Sequence, residues 1–226
     1  MAPSQMTSTP TPAPPRKRGR RPKTQAAVLA ATTELLRTVP LTDLSVAEIL
    51  RAGGVGRTSF YEHFGSKDDV LVKLVRSISE EIADELEPMF GRGERPVDDV
   101  YREALDTWMR LGARYGPLLV AATEEWPRIP ELRRLWFSIL ADFSQRLAAL
   151  IDRDRAAGVA PPGADSEALA ASLAWATERA FHIAMSGHDE TLTDVDAIIE
   201  PLVQLYVGTI YGRPVVRPRR RDLKQR

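Results

Sequence analysis

The side chains best suited to chemistry in this 226-residue sequence cluster between positions 57 and 67: Arg57, Thr58, Ser59, Tyr61, His63 and Lys67. Their types suit a nucleic acid better than a small substrate. Arginine can bond a guanine edge with two N–H groups, and threonine can meet a thymine methyl. Arg57, Thr58 and Ser59 open a short expected helix, where side chains reach base edges. Tyr61 and His63 are spaced to reach phosphates. Lys67 begins the next helix and adds its charge to that helix's exposed N–H groups. Upstream, Ser45 can meet a phosphate as well as cap a helix, and Thr42 is a further phosphate candidate. A purely structural reading remains open for several of them: Ser45 as a cap only, Tyr61 as packing, Lys67 as a solvated charge. Phe60 and Phe64 suit a small core.

The elements that must position these residues are legible. Ser45 followed three residues later by Glu48 makes a capping box. Gly53-Gly54 then breaks the helical pattern, and either glycine can take a left-handed backbone. Residues 45–64 therefore read as helix, glycine turn, helix, the layout of a helix-turn-helix whose second helix enters a major groove. A preceding helix is expected from about Thr24 to Thr38, with Val28, Leu29, Thr32, Leu35 and Leu36 on one face.

Charge is distributed unevenly. The net charge is zero, yet residues 1–23 carry +6 through Arg16, Lys17, Arg18, Arg20, Arg21 and Lys23, and residues 213–226 also carry +6. Residues 24–212 thus hold −12. The helix-turn-helix region itself, residues 24–75, sums to −1, a poor electrostatic footprint for a DNA reader. The basic N-terminal arm, Arg18, Arg20 and Arg21 above all, is expected to supply the grip, with its arginines in a minor groove. Residues 1–15 lack packing material and are expected to form a disordered tail. The basic tail 213–226 suits either a polyanion or solubility.

Cysteine is absent, so disulfides, thiol catalysis and cysteine metal sites are excluded. That composition and the lack of a signal-like or membrane-spanning apolar run point to the cytoplasm. His63, His182 and His188 have no metal-ligand spacing, and no phosphate loop or nucleophile elbow occurs. Neither a catalytic site, a metal nor a cofactor is expected.

The stretch Val55-Gly56-Arg57-Thr58-Ser59-Phe60-Tyr61-Glu62-His63-Phe64-Gly65-Ser66-Lys67-Asp68-Asp69-Val70-Leu71, with Leu44 to Gly54 in register before it, resembles the signature of TetR-type transcriptional regulators. The likeness spans roughly residues 24–72. Gly56 stands where that family often has a capping serine, and Thr58 where it often has glycine or proline. Ala149-Leu150-Ile151-Asp152, Glu178-Arg179-Ala180-Phe181 and Ile210-Tyr211-Gly212 look like the branch containing the mycobacterial repressor of ethionamide activation. That second likeness implies an apolar, aromatic-lined ligand tunnel and repression of a nearby enzyme or transporter gene.

The rest of the chain is expected to be all-α: helices at Lys67 to about Glu87, then at 97–115, 117–125, 131–157, 165–186 and 193–211, the last kinked or shortened by Pro201. A DNA-binding domain with its arm (16–72) is followed by a regulatory and dimerisation domain (73–212). Palindromic sites require two-fold symmetry. Leu169, Ser172, Leu173, Leu202, Leu205 and Ile210 are the expected dimer residues. Tyr101, Leu105, Trp108, Trp136, Leu140, Phe143, Trp175, Thr177, Glu178, Phe181, His182 and Met185 are expected to line a cavity for a small apolar effector, with an ordinary aromatic core as the alternative for many of them. The expected function is a ligand-responsive regulator, a homodimeric repressor on a double-stranded operator. The alternatives are a body that binds a protein or nothing, and an enzyme using the aromatic cavity.

Overall fold

A computed structural model describes residues 21–187, 192 and 195–212. The expected tails 1–15 and 213–226, Arg18, Arg20 and His188 lie outside the described residues. Eight helices make up the described chain, with no strand among them: α1 (Arg21–Leu35), α2 (Val46–Gly53), α3 (Arg57–Tyr61), α4 (Lys67–Phe90), α5 (Val97–Glu125), α6 (Pro130–Ala156), α7 (Ser166–Ser186) and α8 (Val195–Tyr211).

Helices α1 to α3 and the start of α4 share a small core of Val28, Leu41, Leu44, Ile49, Phe60, Phe64, Val70 and Leu71, all buried. The two glycines after α2 act differently. Gly54 has φ +59° and closes α2 in the left-handed conformation, with the Val55 N–H returning to the Leu50 carbonyl at 3.0 Å. Gly53 lies within α2 and serves close approach: a Cβ there would sit 3.2 Å from the Ala27 carbonyl oxygen of α1.

The larger body packs α4, α5, α6, α7 and α8 around apolar residues that are continuous with the small-domain core. α4 belongs to both units. It is 24 residues long, about 36 Å at 1.5 Å per residue. One correction concerns Gly116-Pro117, expected to separate two helices. α5 runs unbroken from Val97 to Glu125. Proline removes the N–H that would bond the Ala113 carbonyl, but Ala113 is exposed and water can serve it. Likewise Pro201 lies inside α8 on its exposed side.

At the far end of the body, Asp154 is buried and bound by three groups. Arg92 donates to it from Nε at 3.2 Å and Nη2 at 2.6 Å, and the Tyr211 hydroxyl donates at 2.6 Å. This ties the α4–α5 loop, α6 and the end of α8 together.

Candidate nucleic-acid interface and ligand cavity

The exposed edge of the small domain gathers Thr42, Ser45, Arg57, Thr58 and Tyr61, with Ser59 and His63 half-buried behind them. α3 has only five residues, and its N-cap is Gly56, which offers no side-chain cap. Arg57 extends over the Tyr61 ring, 5.6 Å from its centre, and makes no ion pair among the described residues. It can leave that ring for a base edge at small cost.

Two of the expected contacts are committed elsewhere. The Ser45 hydroxyl donates to the Glu48 carboxylate at 2.6 Å while accepting the Glu48 N–H at 3.2 Å. The hydroxyl bond and a second one from the Ser45 N–H at 2.8 Å hold the Glu48 carboxyl below its usual range. Ser45 therefore caps α2 and has no proton left for a phosphate in this arrangement. Lys67 needs a clearer correction. Its Nζ donates to the carbonyls of Leu41, Thr42 and Leu44 at 2.6, 2.9 and 2.7 Å. All three ammonium protons are used. Lys67 ties the turn before α2 to the start of α4, and its side chain is half-buried rather than reaching outward.

The body contains an open cavity of about 370 Å³ between α4, α5, α6 and α7. Its wall is aromatic and aliphatic: Trp108, Trp136, Phe143, Phe181, Leu140, Ile139 and Met185 contribute, together with Val75, Ile78, Ile82, Leu86 and Phe90 of α4. Polar atoms are few. Thr177 is bonded to the Tyr206 hydroxyl at 3.0 Å, where burial pushes the Tyr206 phenol up to about 12. His182 also faces the cavity. Glu178 is different. Its side chain is 8% exposed, and neither carboxylate oxygen has a hydrogen bond of ordinary geometry. Arg179, half-exposed, approaches to only 3.8 Å. Burial raises the Glu178 pKa, against the opposing pull of Arg179 and the nearby Trp136 indole and Thr123 hydroxyl. Arg114 of α5 meets Glu81 of α4 at 2.5 Å.

Two family models match the chain. One, described as bacterial regulatory proteins of the tetR family, matches residues 28–74. The other, described as the C-terminal domain of transcriptional regulator EthR, matches residues 101–212. The chain belongs to the TetR family. Its relatives include the HTH-type transcriptional regulator EthR of Mycobacterium tuberculosis, 26% identical over 192 residues that cover 83% of this chain and 87% of that protein. EthR of Mycolicibacterium smegmatis is 25% identical and covers 83% and 86%. A TetR regulatory protein from Rhodobacter sphaeroides has the same fold at TM-score 0.64 and 22% identity, covering 80% of this chain and 98% of that one. These relatives are regulators of transcription by name. No helix among the described residues is long and apolar enough to cross a membrane.

Within this TetR-family chain the structure redistributes some expected residues. Trp108, Trp136, Leu140, Phe143, Thr177, Glu178, Phe181, His182 and Met185 do line the cavity. Tyr101, Leu105 and Trp175 do not. Tyr101 is buried against Tyr206 and Tyr211, and Leu105 is in the same closed core. Trp175 faces the outside of α7, in ring contact with Phe137 and Trp126. Of the expected dimer residues, Leu173, Leu202 and Ile210 are buried inside this chain's own core. They lie on the sides of α7 and α8 that pack against the rest of this chain. Ser172 and Leu205 are exposed, and Leu169 is half-exposed.

Sequence reasoning missed the α4 wall of the cavity. Ile78, Ile82 and Leu86 recur at helical spacing in the sequence, but that spacing does not say what the face meets. It also missed Gly112, whose Cβ would lie 3.1 Å from the Met185 sulfur. That glycine lets α7 and its Met185 close on α5.

Proposed function

We propose that this protein is a homodimeric, ligand-released repressor acting on a palindromic DNA operator. The single observation carrying this reading is that α4 is shared: one helix anchors the reading head and walls the cavity. At its start, Lys67 holds the turn before α2, and Val70 and Leu71 are buried in the small-domain core. Arg128, from the α5–α6 turn, clasps Asp68 with two bonds of 3.1 and 3.2 Å while its Nε donates to Glu125 at 2.6 Å. Further along, Val75, Ile78, Ile82 and Leu86 face the cavity. A ligand that pushes on this wall displaces the helix that carries the head. Two heads then no longer fit both half-sites, and affinity for DNA falls.

Arg57, Thr58 and Ser59 would read bases, with Thr42, Tyr61 and His63 at phosphates and Arg18, Arg20 and Arg21 adding grip from the arm. Dimerisation would use the outer faces of α7 and α8, where Ala168, Leu169, Ser172 and Ala176 on α7 and Pro201, Gln204, Leu205 and Gly208 on α8 are exposed or half-exposed. Small residues there permit close helix approach. One solved neighbour, at TM-score 0.66 and 20% identity over 86% of this chain and 97% of that one, is described as a SmeT–triclosan complex. It supports the idea that this architecture can hold a small apolar effector. The place of action would be the cytoplasm.

The test is operator selection from random duplex DNA, followed by anisotropy titration. A palindromic site bound by two chains is expected. Deletion of residues 1–23 should flatten the slope of log K against log salt by about 0.9 for each phosphate the arm neutralises. An unchanged slope removes the arm from the interface.

A further inference from the structure

The cavity wall holds one buried carboxylate that the fold answers only weakly. Glu178 lines the cavity together with Trp136, Phe181 and Phe143; its side chain is 8% exposed, neither oxygen has a hydrogen bond of ordinary geometry, and the half-exposed Arg179 approaches only to 3.8 Å. A buried charge without a partner costs several kcal/mol in general and is normally paired or replaced. Here the fold leaves it facing an open volume.

The other charges of the wall sharpen this. Arg146 is in ion-pair contact with Glu87 and lies 4.2 Å from the centre of the Phe90 ring. Arg76 faces Glu131 at 3.9 Å. Both cations of the wall are therefore answered by acids outside the cavity. Glu80 and Asp142, at the exposed rim, have no ion pair among the described residues. The cavity is left with an acidic excess, one member of which, the Glu178 side chain, is buried.

We propose that the effector is a lipophilic amine: an apolar tail among the aliphatic residues of α4 and α6, and a protonated nitrogen on Glu178. The proposal rests on the reading of the cavity as the effector site. Aromatic faces around a carboxylate favour a cation twice over, by ion pairing and by cation–π attraction. The N–H groups of the ammonium satisfy two oxygens that receive no hydrogen bond of ordinary geometry from the protein. An anion of the same shape would bring like charge to Glu178, with Arg146 and Arg76 already engaged.

The test compares octylamine, octanol and octanoate by calorimetry and tryptophan fluorescence on the full-length protein at neutral pH, since Trp108 and Trp136 line the cavity. Octylamine should bind at least about tenfold more tightly than octanol, with octanoate weakest. In Glu178→Gln, an isosteric change, octylamine should fall to the affinity that octanol has for the same variant. Octanol binding to that variant also reports that the cavity is intact. Octanol binding without an amine preference, or an amine preference that survives Glu178→Gln, overturns the amine while leaving the effector cavity standing. Failure of all three probes to bind overturns the cavity reading and the proposal with it.

Discussion

Replacing Lys67 by methionine separates two roles that the sequence leaves open. The substitution keeps the aliphatic stem and removes the ammonium. Three carbonyls, of Leu41, Thr42 and Leu44, then go without donors that stood at 2.6 to 2.9 Å. A hydrogen bond to a charged group contributes about 1.5–3 kcal/mol net. Partial exposure of the site lets water replace some of this, so the whole change should cost about 2–4 kcal/mol. For a chain of this size that lowers Tm by about 5–15 °C. Binding to DNA should weaken because the turn that carries Thr42 and leads into α2 loosens. The slope of log K against log salt, however, should not move, since Lys67 neutralises no phosphate. Urea unfolding gives the first quantity and anisotropy across a salt series gives the second. Unchanged stability with a slope shallower by about 1.8 per dimer, 0.9 for each of two phosphates, would show that Lys67 is a phosphate ligand and refute the structural argument.

Three other substitutions have signed outcomes. Glu178→Gln should stabilise the free protein at pH 7 by about 1–3 kcal/mol, the desolvation cost of an unsatisfied buried group. The folded-state pKa of Glu178 is raised, so its contribution to stability is most favourable below the unfolded value and is lost as pH rises through the folded one. The gap between variant and wild type should therefore widen from pH 4 to pH 7 in urea titrations; a constant gap contradicts this. Asp154→Ala leaves Arg92 buried without its partner and should cost about 3–5 kcal/mol by urea unfolding; a cost under about 1 kcal/mol would mean the pair is dispensable. Gly56→Ser should stabilise by about 1 kcal/mol. It adds the missing cap at a backbone of φ −72° and ψ 149° that serine adopts freely, and its Cβ meets nothing within 4 Å. A lower Tm for this variant would count against the assigned cap geometry.

The helix-turn-helix was open to reading because its signals are local. Ser45 and Glu48 form a capping box within one turn, and Gly54 marks a left-handed backbone that other residues resist. What stayed hidden depends on partners distant in sequence. Lys67 meets carbonyls 23 to 26 residues earlier. Tyr101 and Trp108 lie two turns apart on α5, yet one is closed off by Tyr206 and Tyr211 and the other opens on the cavity. Helical periodicity reports that a face is buried, not whether a neighbour or a void lies against it. The same limit kept Leu173, Leu202 and Ile210 from being separated from Leu205: all four are apolar, but only the packing of α5, α7 and α8 decides which points outward. Gly116-Pro117 misleads for another reason. Sequence rules score the missing hydrogen bond, while the structure places the freed carbonyl where water reaches it.

Helix α4 belongs to both the reading head and the cavity wall, and linkage tests the proposed coupling most directly. The affinity of the selected operator should be measured by anisotropy with and without a saturating level of the tightest-binding octyl probe. The affinity of that probe should then be measured with and without operator. A helix common to both sites predicts that the probe weakens operator binding at least about tenfold, and that operator weakens the probe by the same factor. An operator affinity unchanged while Trp108 and Trp136 report a filled cavity would contradict it.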